Sequence, residues 1–187
     1  MVVGDNMITL EDIKGTLDKN NKLSDEIKDN LYGLIHLFNS RYPEISLNNL
    51  NKNLETLEIV KSNKFMNKRI SKYNPVTNVL EFNIDRMNED YDMKHVLMHQ
   101  LLNIITNNGE FYGFNKNNKF EALNEGYAEI ITNYLVGNES ENEDLHDEVI
   151  TTNMIALMVG NDVLYDAYFN NNVEALVKGL INEGVEV

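Results

Sequence analysis

The stretch from residue 92 to residue 107, DMKHVLMHQLLNIITN, gives the clearest structural signal in the chain. At 100° per residue, one side of a helix through it is apolar, formed by Leu97, Met98, Leu101, Leu102, Ile104 and Ile105. The other side is a polar arc of about 140°, interrupted only by Val96 and formed by His95, His99, Gln100, Asn103, Thr106 and Asn107. The stretch therefore predicts an amphipathic helix whose polar face lies either in water or at a site.

A second predicted helix, residues 119–136, carries three carboxylates at four-residue intervals, Glu121, Glu125 and Glu129. Such carboxylates repel one another by a few tenths of a kcal/mol per pair. Interleaved lysines would relieve that repulsion, but only Lys119 stands near. The face is therefore either solvated or turned toward a cation or a histidine.

Other segments complete an α+β pattern. Ser24, followed by two acids, starts a helix that Pro43 limits, and a short helix is expected within residues 10–23. Strands are expected at residues 54–60, 69–73 and 78–84, and further helices at 143–159 and 173–182. We interpret residues 1–187 as one domain: an N-terminal helical part (1–50), a small mixed or antiparallel sheet (54–84), and C-terminal helices (92–182).

Composition excludes several classes of function. The chain has 187 residues, a net charge of −14 and no cysteine, so disulfides, thiolate-held zinc and a cysteine nucleophile are ruled out. Strong negative charge disfavours binding to nucleic acid or to an anionic membrane surface. No apolar run approaches the roughly 20 residues of a membrane span. The first residues do not have the pattern of a secretion signal, so we expect a cytoplasmic protein.

Two segments together resemble the active-site helices of gluzincin metallopeptidases, the thermolysin-like zincins. They are residues 96–106, VLMHQLLNIIT, and residues 122–129, ALNEGYAE. In that family the first helix carries HExxH, whose histidines bind zinc and whose glutamate is the general base. The resemblance implies that Glu125 is the third ligand, 26 residues after His99, and that Glu129 orients a ligand histidine. It also implies a zincin-like fold in which the strand at 78–84 forms the sheet edge over the cleft.

The first motif departs from the family pattern at two positions. The chain has HQLLN at residues 99–103, so His99 is kept while Gln100 stands in place of the general base and Asn103 in place of the second histidine ligand. Glutamine cannot accept a proton at neutral pH, and an amide oxygen is a weak zinc donor. Reading the motif from His95 restores two histidines but puts Val96 at the base position, so His95 is at most a substitute ligand.

These departures predict a catalytically degenerate metallopeptidase-like domain with a binding or structural role, holding no zinc or weakly bound zinc. A peptide or protein partner would add as a strand beside residues 78–84. One alternative is a working metal-dependent hydrolase that draws its ligands from His95, His99, Glu125 and Glu129. Another is a helical interaction domain without a site, in which both polar faces are simply wet; it predicts His99 and Glu125 on separate surfaces.

Overall fold

The computed structural model describes residues 8–63, 69–86, 92–116, 119–137 and 145–184. Within these residues the fold is mixed α+β and mostly helical, as the sequence predicts. The helices are α1 (Leu10–Lys19), α2 (Asp25–Arg41), α3 (Asn48–Leu54), α4 (Met93–Thr106), α5 (Glu121–Val136), α6 (His146–Val159), α7 (Asn161–Phe169) and α8 (Val173–Asn182), and the strands are β1 (Glu58–Ser62), β2 (Ser71–Asn74) and β3 (Val79–Asn83). No described helix combines the length and the apolar character that a membrane span requires.

Local interactions account for the start of α2 and the end of α3. The hydroxyl of Ser24 accepts a hydrogen bond from the Ile27 backbone at the start of α2. Residues 54–57 are not strand, contrary to the prediction, because α3 continues to Leu54 and β1 begins only at Glu58. Leu50 and Leu54 are both fully buried at helical spacing, so packing of one helix face outweighs the extended pattern.

In the described part of the chain the sheet has three strands, in the order β1-β3-β2. β1 pairs parallel with β3, and β2 pairs antiparallel with it across the turn at residues 75–78, so the sheet is mixed. The Asn74 side chain accepts hydrogen bonds from Val76 and Thr77 and stabilises that turn. The expectation that the strand at 78–84 forms the sheet edge is wrong. β3 is central because the turn places β2 on one side of it while the chain leaving α3 places β1 on the other.

The helix α5 is fixed from both sides. It packs against α4, and its Gly126 lets α6 approach so closely that a Cβ there would lie 2.2 Å from the Glu148 carbonyl oxygen. The unpredicted helix α7 adds the fully buried Tyr168, which packs against Phe114 and Tyr127. This packing holds the carboxylate face of α5 against the polar face of α4.

Candidate functional site

The polar faces of α4 and α5 meet inside the protein. His95, His99, Gln100 and Glu125 are each at most 6% exposed, and Asn103 and Glu129 are equally buried. The interpretation of both faces as simply wet is therefore wrong, and His99 and Glu125 do not lie on separate surfaces. Burial follows because α5 and β2 pack against α4 and cover the arc that a lone amphipathic helix would expose.

Glu129 connects the two histidines of α4. Its Oε1 lies 2.8 Å from His95 Nε2, and its Oε2 lies 2.9 Å from His99 Nδ1. Burial alone raises the pKa of Glu129, but the hydrogen bonds from His95 and His99 outweigh it and lower that pKa to about 2. The carboxylate therefore stays ionised and fixes both imidazole rings.

The second nitrogen of His99 faces Glu125, with Nε2 3.2 Å from Oε2. Both ring nitrogens thus face carboxylate oxygens, an arrangement that a doubly protonated imidazole satisfies. Burial lowers the pKa of His99, yet the hydrogen bonds to Glu125 and Glu129 more than compensate and raise it to about 9. The pKa of Glu125 is lowered, because contact with His99 and the charge of Arg69 outweigh its burial.

Arg69 is a member of the site that the sequence reasoning missed. Its Nη1 lies 3.4 Å from Glu125 Oε2 and 3.4 Å from Glu121 Oε1. It also lines the cleft together with Ile70 and Ser71, at the start of β2. No local pattern marks this arginine, since its partners stand more than 50 residues along the chain.

The amides of Gln100 and Asn103 lie next to each other on α4, and Asn103 Nδ2 donates a hydrogen bond of 3.5 Å to Gln100 Oε1. Gln100 lines the cleft beside His99 and Glu125. Asn103 points into the core, where its Oδ1 accepts a hydrogen bond of 2.9 Å from Asn124 Nδ2. The Oδ1 of Asn124 in turn accepts from the Phe114 backbone at 3.1 Å. The one atom of Asn103 that could bind a metal is therefore already used.

The donor set does not fit a catalytic zinc ion, which needs three protein ligands and an open position. His99 Nε2 and Glu125 Oε2 alone would fit, because two ligands on a tetrahedral zinc lie about 3.3 Å apart. The third ligand is missing, since Asn103 is engaged with Asn124 and His95 Nε2 faces Glu129. In the described part of the chain, no three His, Asp or Glu side chains are placed to hold one metal ion.

The cleft opens between the polar helix faces and the start of β2, an edge strand of the sheet. The Ile70 carbonyl accepts a hydrogen bond from the Asn83 backbone, and this sets the phase of the β2–β3 ladder. Because hydrogen-bonded and non-hydrogen-bonded pairs alternate, the backbone groups of Ser71 and Tyr73 face away from β3.

No protein-family model, no curated protein and no solved structure matches this chain.

Proposed function

We propose that this chain is a zincin-like, catalytically degenerate domain that binds an extended peptide segment without hydrolysing it. The observation that carries the proposal is the His99–Glu125 pair at 3.2 Å, with Glu129 on the other ring nitrogen of His99. These are the roles that the resemblance to thermolysin-like peptidases assigns to the three residues. The match in roles supports a common architecture.

The loss of hydrolysis follows from two residues. Gln100 lines the cleft at the position of the general base but has no basic oxygen, and a general base contributes about 10²–10⁴-fold to the rate. The side-chain carbonyl oxygen of Asn103 accepts a hydrogen bond from Asn124 and is not available to a metal. Among the residues that the structure describes, the cleft holds neither a water-activating group at residue 100 nor a complete ligand set, so we expect no peptidase activity.

The binding role rests on the position of β2. Its backbone groups at Ser71 and Tyr73 face away from β3, and Ser71 also borders the cleft; because both residues are at most 7% exposed, an added strand would pair with them after displacing the groups that cover them. A peptide added here would run directly past Gln100 and the His99–Glu125 pair. The added strand therefore belongs beside β2, not beside residues 78–84.

A metal-dependent hydrolase is the second candidate, favoured by the ligand-like separation of His99 and Glu125. It requires His95 or Glu129 to leave the contact that joins them, because that contact occupies His95 Nε2. A single peptide-library experiment distinguishes the two candidate functions.

The test exposes the immobilised full chain to a random library of peptides of roughly ten residues, long enough to pair along one strand. Mass spectrometry identifies bound and cleaved peptides, and elemental analysis measures zinc. We expect captured peptides to be intact, to lose binding when alternate backbone nitrogens are methylated, and to bind protein without zinc. Capture of no peptide would overturn the binding role. Cleavage that a chelator and His99→Ala both abolish would establish the hydrolase instead.

A further inference from the structure

Buried carboxylates need a compensating positive charge. Glu125 and Glu129 are 6% and 3% exposed, and removing such charges from water is costly unless they are paired. In a metallopeptidase the metal supplies part of that charge. In this chain the side chain of Arg69, which precedes β2, contacts the Glu125 carboxylate.

We propose that Arg69 takes the place of a metal ion at Glu125, holding the cleft together and keeping divalent cations out. This inference deepens the proposed function, because it explains how a zincin-like cleft stays assembled without a metal. It concerns the charge inside the cleft and not the peptide outside it. The two proposals can therefore fail separately.

The argument depends on one shared oxygen. Glu125 Oε2 faces both His99 Nε2, at 3.2 Å, and Arg69 Nη1, at 3.4 Å. A cation bound between His99 Nε2 and Glu125 would face that oxygen, and it would lie beside a guanidinium that never loses its charge. Repulsion between like charges at this distance opposes metal binding.

The second carboxylate explains why arginine suits the position. Arg69 Nη1 also lies 3.4 Å from Glu121 Oε1, so one guanidinium joins two carboxylates of α5 that would otherwise repel each other. If the guanidinium is removed, Glu121 and Glu125 remain around the vacated position, next to His99 Nε2. Their uncompensated negative charge would then attract a cation to the His99–Glu125 pair.

The experiment compares Arg69→Met with the parent in the full chain, using zinc titration, elemental analysis after dialysis and thermal melting with zinc or chelator. We expect the parent to respond to neither addition. Arg69→Met should melt at a lower temperature without zinc, recover with zinc, and bind about one zinc per chain at least about tenfold more tightly than the parent. Arg69→Lys, which keeps the charge, should bind no more zinc than the parent.

Matched variants make the result specific. Arg41→Met removes an exposed arginine at the end of α2 and should leave melting and zinc binding unchanged. Adding Glu121→Gln to Arg69→Met should weaken the gained zinc binding, because it removes one of the two carboxylates that Arg69 compensates. If Arg69→Met does not fold, the double variant Arg69→Met/Glu125→Gln should recover folding, because the unpaired charge is gone. Melting and zinc binding of Arg69→Met equal to those of Arg41→Met would overturn the proposal, as would a double variant that stays unfolded.

Discussion

The polar face of α4 is divided into two halves with different chemistry. In the N-terminal half, His95 and His99 contact the carboxylates of Glu125 and Glu129. In the C-terminal half, Asn103 contacts an uncharged amide, and Thr106 accepts a hydrogen bond from the Gly113 backbone. The first half is ionic and borders the cleft, whereas the second is neutral and closed in the core.

This difference shows how one helix face can keep part of a site while another part becomes structure. Histidine and carboxylate partners retain charge next to the cleft, where a ligand or a cation would interact with them. The amide of Asn103 accepts a hydrogen bond from Asn124 and donates one to the Gln100 side chain, so both of these partners are uncharged. The two halves should therefore respond differently to substitution and to pH.

The largest effect is expected from breaking the ionic half. Glu129→Ala removes the carboxylate that contacts both histidines and leaves buried polar groups without this partner, which costs about 3–5 kcal/mol. Urea denaturation followed by circular dichroism measures the loss. Glu121→Ala, at a carboxylate that is 38% exposed, is the control and should cost below about 1 kcal/mol. Equal losses in the two variants would show that Glu129 does not organise the site.

A smaller loss is expected from the neutral half. Asn124→Ala removes hydrogen bonds to Asn103 and to the Phe114 backbone, leaving buried groups unpaired at a cost of about 1–3 kcal/mol. The control is Asn30→Ala, at an exposed position of α2, which should stay within about 0.5 kcal/mol of the parent. The same urea titration reports both. A loss for Asn124→Ala as large as that for Glu129→Ala would remove the distinction between the halves.

Local periodicity accounts for what the sequence could predict. The repeat of Leu97, Leu101 and Ile104 predicts α4. The stacked carboxylates of α5 left two alternatives, a solvated face or one turned toward a cation or histidine, and the structure places His95, His99 and Arg69 against them. The helices α3 and α7 were missed because each is short, at seven and nine residues, and its burial depends on distant packing.

The contribution of Arg69 could not be predicted, because nothing near it in sequence specifies an ion pair. The order of the strands in the sheet could not be predicted from the sequence either. Alternating residues in β3 indicate a half-buried strand, but they do not show whether one or two neighbours pair with it. Pairing was settled by the β2–β3 turn and by the path of the chain from α3 to β1.

The pH dependence of stability should come from the ionic half. The pKa of Glu129 is lowered from 4.5 to about 2, so its stabilisation is present above pH 4.5 and lost as pH falls through about 2. The pKa of His99 is raised from 6.5 to about 9, so its stabilisation is present below pH 6.5 and lost as pH rises through about 9. The free energy of unfolding contributed by this pair should therefore be greatest between pH 4.5 and 6.5.

Denaturation at a series of pH values tests this. Asn124→Ala should lower the curve and keep its shape, since it changes no ionisable group. Glu129→Ala should reduce the loss of stability both at low pH and at high pH, because it removes one titrating group and one partner of His99. Stability that rises steadily from pH 6.5 to 9 would contradict a protonated His99.

The smallest effect is expected from restoring the general base alone. Gln100→Glu returns a carboxylate to the position where the resembling peptidases have one, yet it adds no ligand for a metal. Because Asn103 stays bound to Asn124 and Arg69 stays on Glu125, the variant should hydrolyse a fluorogenic peptide no faster than the parent. The added carboxylate beside Glu125 should slightly lower stability through repulsion. Zinc-dependent hydrolysis by this single variant would mean that the ionic half can still assemble a metal site by itself, and the comparison between the halves would then have no bearing on activity.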